Sequence, residues 1–367
     1  MTDEQFIKRT FRLARKARGM TSPNPMVGAI LVRNGRILAE DFHRRAGTPH
    51  AEVLAIAKAR DKTKGSSLYV NLEPCCHTDK RTPPCTREII RAGIRRVIVS
   101  MKDPNPKVSG KGIAELERAG IQVRSGILED QAKRLNEAYV KYITTGMPFV
   151  TLKIAMTLDG KIATPGGESK WITGEKSRKQ VHRLRSIVDA VLTAIGTVKA
   201  DDPQLTARFC GDRNPVRIVI DPLLEISPDA KILRMPPQTI LVTRSTGNKA
   251  EAFRKAGIDI IHFEDKLDLK RLLQKLGQRN MTSVLIEGGS SLNAHALEDG
   301  IVDKAIFFIA PKIIGGRDSY PAVGGKTFRS LNEAYQMRDV SMRRIAEDIL
   351  IEGYLSPDTK SPAERNV

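Results

Sequence analysis

The chain has 367 residues, of which 61 are Lys or Arg and 42 are Asp or Glu, for a formal net charge of +19. At roughly 100–200 residues per domain, this length points to two domains. A composition of 40% apolar and 28% charged residues builds ordinary buried cores and excludes wholesale disorder. No apolar run reaches the ~18–20 residues of a membrane helix. The opening MTDEQFIKRTFRLARKARG lacks the apolar stretch of a secretory signal and reads as a helix, with Phe6, Thr10, Leu13, Ala14 and Ala17 at helical spacing. So positive a charge favours anionic partners, whether nucleic acid or small phosphate esters. The basic residues are spread along the chain, and 5% aromatic residues is poor material for stacking bases, so the reading is no nucleic acid and no membrane. Of the four cysteines, Cys75, Cys76 and Cys85 fall within eleven residues, with Cys210 far off. That grouping suits a metal or reactive site in a reducing, cytoplasmic compartment better than a disulfide framework.

Along the chain, short strands alternate with helical stretches. Met26–Val32 and Ile37–Glu40 flank Asn34-Gly35, a dipeptide suited to tight hairpins because both residues tolerate positive φ. A helix is expected from His50 through Ala57, a strand over Ser67–Leu72, a helix over Thr86–Ala92 and a strand over Arg96–Met101. Ile113–Ala119 reads as helix, Ile121–Ile127 as strand and Glu129–Ile143 as one longer helix. Thr144-Thr145-Gly146-Met147-Pro148 breaks the pattern and is the expected boundary. Beyond it, strands are expected over Phe149–Ala155, Ala190–Ile195, Val216–Asp221, Thr239–Thr243, Ser283–Glu287 and Ala305–Ile309, with helices over Ser177–Ile187 and Leu292–Glu298. The polar end of the chain, 357–367, is expected to be a disordered tail. No internal repeat is present. The domains expected are therefore 1–145 and 146–356, both layered α/β structures.

The strongest chemical signal lies in the first half. His50-Ala51-Glu52 follows Pro49 at an expected helix start, Pro74-Cys75 closes a strand, and Cys85 follows Pro83-Pro84 at the next helix start. Zinc takes imidazole and thiolate ligands tetrahedrally, and a catalytic site keeps one position for water, so one His and two Cys supply three ligands and leave it open. A cysteine at a helix N-terminus ionises more easily. Zinc lowers the pKa of its water, and Glu52 can take that proton and pass it to a leaving amine. This His-x-Glu…Pro-Cys order is the signature of zinc deaminases acting on amino-bearing pyrimidines or purines. Nine residues separate Cys75 from Cys85, where nucleic-acid and nucleoside deaminases usually have two; His77, Lys80 and Arg81 in this loop suit a phosphate-bearing substrate. Cys76 is a rival ligand to Cys75, which is preferred because it directly follows the proline. Two other readings stand beside this one. An RNA-modifying deaminase would use the positive charge, and a structural zinc module would need a fourth ligand such as His77 or Cys76.

Taken together, SPNPMVGA, FHRRAGTPHAE, LEPCCHTDKRTPPC and MKDPNPKVSGKGI in the first half, with LKIAMTLDGKIA, GESKWITG, GTVKADDPQLTAR and IEGGSSL in the second, resemble the bifunctional riboflavin-biosynthesis deaminase–reductase family over nearly the whole chain. The resemblance implies an N-terminal cytidine-deaminase-like α/β/α layer domain followed by a dihydrofolate-reductase-like α/β domain. It implies deamination of 2,5-diamino-6-ribosylamino-4(3H)-pyrimidinone 5′-phosphate, then reduction of the ribosyl group to ribityl by NADPH. One Zn2+ would be held by His50, Cys75 and Cys85, with Glu52 shuttling the proton. Asn24, His43, His77, Asp103 and Asn105 match substrate-pocket positions, although Asn24-Pro25 and Asn105-Pro106 are also ordinary turn chemistry. The Cys75–Cys85 loop is one residue longer than the commonest family form, which leaves Lys80 and Arg81 as alternatives for the substrate-facing cation. Self-association is expected as well, since folds of this kind often associate.

The second half carries no Gly-x-Gly-x-x-Gly after a strand, so a Rossmann site is not supported. It does carry a strand, Val284–Glu287, that runs into Gly288-Gly289 and a helix, which suits a phosphate at a helix N-terminus or simply a tight turn. By resemblance, Ala155, Trp171, Thr197, Asp201 and Gly289 match cofactor-contacting positions. Ser169, Arg185, Leu205, Arg208 and Glu287 match substrate-contacting ones. Apart from the resemblance, Lys153, inside the opening strand, is a candidate for orienting the sugar or assisting proton transfer. Arg185 and Arg208 have the planar fork that clamps a phosphate bidentately. Trp171, the only tryptophan, would by default be a core residue.

Overall fold

The computed structural model describes residues 1–78, 83–208, 213–325 and 330–356; Lys80, Arg81, Cys210 and the expected tail 357–367 lie outside them. The chain divides into two compact units, Met1–Met147 and Pro148–Val367. Among the described residues, no helix is long and apolar enough to cross a membrane.

The first unit opens with α1 (Asp3–Ala14), whose N-cap Thr2 and Gln5 exchange side-chain-to-backbone hydrogen bonds in a capping box. It continues through β1 (Gly28–Arg33), β2 (Arg36–Phe42), α2 (Ala51–Ala59), β3 (Ser67–Leu72), α3 (Cys85–Arg91), β4 (Arg96–Met101), α4 (Lys111–Arg118), β5 (Gln122–Ser125), α5 (Glu129–Leu135) and α6 (Glu137–Thr145). The sheet order is β2-β1-β3-β4-β5; β1 runs antiparallel to β2 and β3, whereas β3, β4 and β5 are parallel. Asn34 and Gly35 turn the β1–β2 hairpin at positive φ, as expected. Strands β1, β3 and β4 are buried along nearly every residue, which requires helices on both faces of the sheet. Helix α1 contributes Phe6, Ile7, Phe11 and Leu13 to that core, each worth about 1.5–3 kcal/mol of apolar burial. It lies so close to β1 that a Cβ on Gly28 would sit 2.3 Å from Thr10 O.

One expectation fails here. The single helix over Glu129–Ile143 is two helices, because the buried Asn136 leaves helical geometry (φ −111°) and turns its side chain onto Met26, accepting from Met26 N–H at 2.8 Å and donating to Met26 O at 3.1 Å.

The second unit runs β6 (Phe149–Thr157), β7 (Lys161–Ala163), α7 (Glu175–Ile187), β8 (Ala190–Ala194), α8 (Ile195–Asp201), β9 (Val216–Ile220), β10 (Ile240–Thr243), α9 (Asn248–Lys255), β11 (Asp259–His262), α10 (Leu269–Gln278), β12 (Ser283–Ile286), α11 (Ser290–Glu298), β13 (Lys304–Ala310), β14 (Tyr320–Pro321), β15 (Met337–Ile345) and β16 (Asp348–Leu355). Among the described residues, nine strands form one sheet in the order β11-β10-β9-β8-β12-β6-β13-β16-β15. It is parallel except for the final hairpin, where β16 pairs antiparallel with both β13 and β15. Ligands of open α/β sheets bind beyond the C-terminal ends of the parallel strands. In this sheet those ends carry Ala155, Glu287 and the Gly288-Gly289 turn.

Candidate functional sites in the two units

Local structure delivers each member of the first site. His50 is the N-cap of α2, Cys85 is the first residue of α3 behind Pro84, and Cys75 lies just past the end of β3. His50 Nδ1 stands 3.2 Å from Cys85 Sγ and 3.5 Å from Cys75 Sγ, and the Cys85 N–H points at Cys75 Sγ from 3.5 Å. The three ligand atoms lie within 4.8 Å of one another, and among the described residues no further His, Cys, Asp or Glu is grouped with them. With Zn–S near 2.3 Å and Zn–N near 2.0–2.1 Å, a tetrahedral ion separates N from S by about 3.6 Å, close to the distances seen. The donor set fits Zn2+. Cys76 Sγ faces elsewhere, 4.0 Å from Lys107 O.

Glu52, in the first turn of α2, is 3% exposed, and its Oε2 has no hydrogen-bond partner among the described residues. A buried carboxylate oxygen with nothing to bond is costly unless a ligand meets it. Burial pushes its carboxyl up from the ordinary range.

Around the cluster, the His43 ring sits edge-on to His50 with centroids 5.2 Å apart. Its Nδ1 lies 3.3 Å from Pro49 O and its Nε2 3.3 Å from Asn24 Nδ2, which a neutral ring protonated on Nδ1 satisfies; burial holds this imidazole below its usual pKa. Asp103 is buried, with Oδ1 accepting from the Asn105 N–H at 2.9 Å and the Tyr139 hydroxyl at 2.8 Å, and burial pushes its carboxyl up to about 6. Asn105 Oδ1 closes a turn onto the Lys107 N–H at 3.0 Å, and His77 is half-buried beyond Cys76.

The second site is built by strand register. Parallel pairing sets Ile286 beside Leu152, so the next residues along, Glu287 and Lys153, are neighbours across the two strands. Lys153 Nζ lies 3.0 Å from Glu287 Oε2. From α7, Arg185 donates Nε to Oε1 at 2.6 Å and Nη2 to Oε2 at 3.0 Å. Burial opposes ionisation of Glu287, but the charges of Arg185 and Lys153 outweigh it and hold the carboxyl well below the ordinary range. Arg185 was expected to offer its fork to a phosphate. It gives that fork to Glu287 instead, and Nη1 donates to Thr206 O at 3.2 Å. Thr206 O also faces His182 Nδ1 at 3.0 Å, which fixes the segment of buried Leu205 (φ +50°) and exposed Arg208.

Trp171 is no core residue: it is 63% exposed, with the Arg178 guanidinium 4.6 Å above its ring and its carbonyl accepting from Lys312 Nζ at 2.7 Å. Beside it, the Ser169 hydroxyl donates to Asp201 Oδ1 at 3.1 Å and Lys170 Nζ to Asp201 O at 2.9 Å. Gly289 is the N-cap of α11, and a Cβ there would lie 3.9 Å from Thr197 Oγ1, so these two expected cofactor positions are adjacent; Ala155 is on β6.

Several residues of these sites went unread in the sequence. His182 lies one turn before Arg185 on the same face of α7, a spacing that could have disclosed it. Asn71 and Asn136 clamp Met26 and Gly28 beside Asn24, Tyr139 holds Asp103, and Glu73 is buried behind Cys75, all through long-range bonds that leave no periodic signal.

This geometry is matched by comparison with known proteins. Residues 1–101 match the cytidine and deoxycytidylate deaminase zinc-binding region, and residues 148–351 match the RibD C-terminal domain. The class is thereby defined: a zinc-type deaminase domain of cytidine-deaminase-like fold joined to a reductase domain of dihydrofolate-reductase-like fold. Riboflavin biosynthesis protein RibD of Aquifex aeolicus is 44% identical over 95% of this chain and 97% of its own length, and that of Escherichia coli K12 is 37% identical over 96% and 99%. The solved structure of RibD from Acinetobacter baumannii superposes with a TM-score of 0.89 at 35% identity over 96% of this chain and 99% of that one. A Thermotoga maritima structure named as a diaminohydroxyphosphoribosylaminopyrimidine deaminase/5-amino-6-(5-phosphoribosylamino)uracil reductase does so at 0.86 and 38%, with the same coverage. The chain belongs to the RibD family of riboflavin biosynthesis, bifunctional enzymes with deaminase and reductase activities.

Proposed function

We propose that this chain performs two successive steps on one phosphorylated pyrimidine. The first is hydrolytic deamination of 2,5-diamino-6-ribosylamino-4(3H)-pyrimidinone 5′-phosphate. The second is NADPH-dependent reduction of the ribosyl group, giving 5-amino-6-ribitylamino-uracil 5′-phosphate. The observation that carries the reading is the His50–Cys75–Cys85 cluster with a buried Glu52 oxygen that has no hydrogen-bond partner among the described residues. The substrate is supported by the name of the Thermotoga maritima relative.

When bound by His50, Cys75 and Cys85, zinc supplies a water acidified toward neutral pH. Glu52 takes the proton released as the water oxygen joins the amino-bearing carbon and returns it to the departing nitrogen, so that C–O forms, C–N breaks and ammonia leaves. Asn24 and His43 hold one side of the ring, Asp103 and Asn105 the other, and His77 borders the entrance. In the second unit, NADPH supplies the hydride. Ala155, Thr197, Gly289, Asp201 and Trp171 shape the cofactor side. Glu287 fixes Lys153 and Arg185 toward the sugar, and Ser169, Leu205 and Arg208 complete the substrate side, with Arg208 the arginine available to a phosphate. The chain works in the cytoplasm, where thiolate ligands stay reduced, and as a homo-oligomer, for which β15, the last strand of its sheet among the described residues, offers an exposed edge.

Two experiments bear on this. Incubation with the diaminopyrimidine ribotide should yield the deaminated ribosyl product without NADPH and the ribityl product with it, identified by mass; no change in substrate, or a deaminated product that NADPH leaves untouched, rejects the corresponding half. Serine at Cys75 or Cys85 should remove bound zinc, whereas serine at Cys76 should leave about one zinc per chain. Elemental analysis of the purified variants checks this, and the reverse pattern would make Cys76 the ligand.

A further inference from the structure

We infer that Glu73 is a positioning residue that fixes the Asp103–Asn105 side of the deaminase pocket relative to Cys75. The inference rests on the deaminase reading of the first unit. Glu73 stands between β3 and Pro74-Cys75 and is 2% exposed. Its carboxylate accepts three backbone amides from one distant segment: Asp103 at 3.1 Å and Gly110 at 3.0 Å on Oε2, and Ile113 at 3.1 Å on Oε1. Its own N–H donates to Met101 O at 3.0 Å, where that segment leaves β4.

These bonds bracket the loop at both ends. Helix α4 begins behind Gly110, an N-cap with no side chain to accept the free amides of the first turn. Glu73 supplies the missing acceptor from another element, and the positive end of the helix favours its negative charge. The approach is close: a Cβ on Gly112 would lie 2.2 Å from Pro74 O and 3.2 Å from Glu73 Oε1, so the first turn of α4 rests on the peptide that leads into Cys75. Inside the loop, Asp103 Oδ1 holds the Asn105 N–H and the Tyr139 hydroxyl. A shift at the Asp103 amide therefore moves Asp103 and Asn105 together, while His50 and Cys85 stay at the starts of α2 and α3 and the Cys75 carbonyl keeps the Thr86 N–H at 3.3 Å.

Glu73→Gln tests this with almost no change in shape. A carboxylate only accepts, whereas the glutamine NH2 must face at least one of the three amides, donor against donor. The KM for the pyrimidine ribotide should rise about tenfold or more, with kcat changed less than about threefold, as expected when ground state and transition state lose the same contact. Deuterium exchange of the amides over 102–113 should accelerate, while zinc per chain and NADPH-dependent reductase turnover stay at wild-type values. A KM within about twofold of wild type, a loss confined to kcat, or loss of zinc would each overturn the inference. Should the variant not fold, exchange in the unaltered chain decides: slow amides at Asp103, Gly110 and Ile113 support the tether, and free exchange there refutes it. A wild-type chain that does not deaminate the ribotide would sink the deaminase reading, and the exchange result would still judge Glu73.

Discussion

Replacing Glu52 with glutamine should lower deaminase turnover by about 10²–10⁴-fold, the range for a positioned general acid–base group, and leave zinc bound. The amide keeps the size of the side chain but cannot take a proton and hand it on. Zinc should remain because the ligand atoms of His50, Cys75 and Cys85 converge on one another independently of Glu52 Oε2. The measurements are ammonia release and elemental analysis on the same preparation, with NADPH oxidation on already deaminated substrate as the control for the second unit. Near-normal deamination would remove Glu52 from proton transfer. Loss of zinc would make it part of the metal site instead.

The second large effect is expected at Glu287. Glu287→Gln leaves Lys153 and Arg185, both mostly buried, around a neutral amide that must turn donors toward donors. Removing one partner of a buried ionic group costs about 3–5 kcal/mol, and misplacing the side chains of a site by as little as about 1 Å costs on the order of 10²-fold in rate. Reductase turnover should therefore fall about 10²-fold and the second unit should unfold at lower denaturant, with deamination unchanged. The pH dependence has a definite sign. The folded pKa of Glu287 is depressed, so its stabilisation is complete above the unfolded glutamate value near about 4.3 and is lost as pH falls from there toward the folded value. The stability gap between wild type and variant should be flat from about pH 6 to 9 and shrink in acid. A variant with wild-type stability and reductase turnover would show that the Lys153–Glu287–Arg185 contact supports neither.

The first site was legible in the sequence because local rules build it. His50 and Cys85 sit at helix starts flagged by prolines, Cys75 follows the proline past a strand end, and each is placed by the few residues around it. The second site was not. Lys153 and Glu287 meet through parallel register, which no periodicity records; family resemblance pointed to Glu287, and Lys153 was a candidate only as a lysine inside the opening strand. Resemblance could not show that Arg185 gives its fork to Glu287, because that depends on how α7 lies over the strand ends. The elements passed over divide the same way. Helix α10 carries Leu269, Leu272, Leu273 and Leu276 at plain helical spacing and was there to be read, whereas edge strand β15 is exposed on nearly every residue and has no alternation to find. The break between α5 and α6 was hidden because Asn136 ends a helix for a tertiary reason, its two bonds to Met26.

Zinc-edge X-ray absorption on the purified chain tests the central claim most directly. The predicted spectrum has two sulfur scatterers and one imidazole nitrogen from the protein, with the fourth position not held by a side chain, and loses a sulfur when either Cys75 or Cys85 becomes serine. A third sulfur or a second imidazole in the wild-type chain, or fully active deaminase with no zinc, would contradict it.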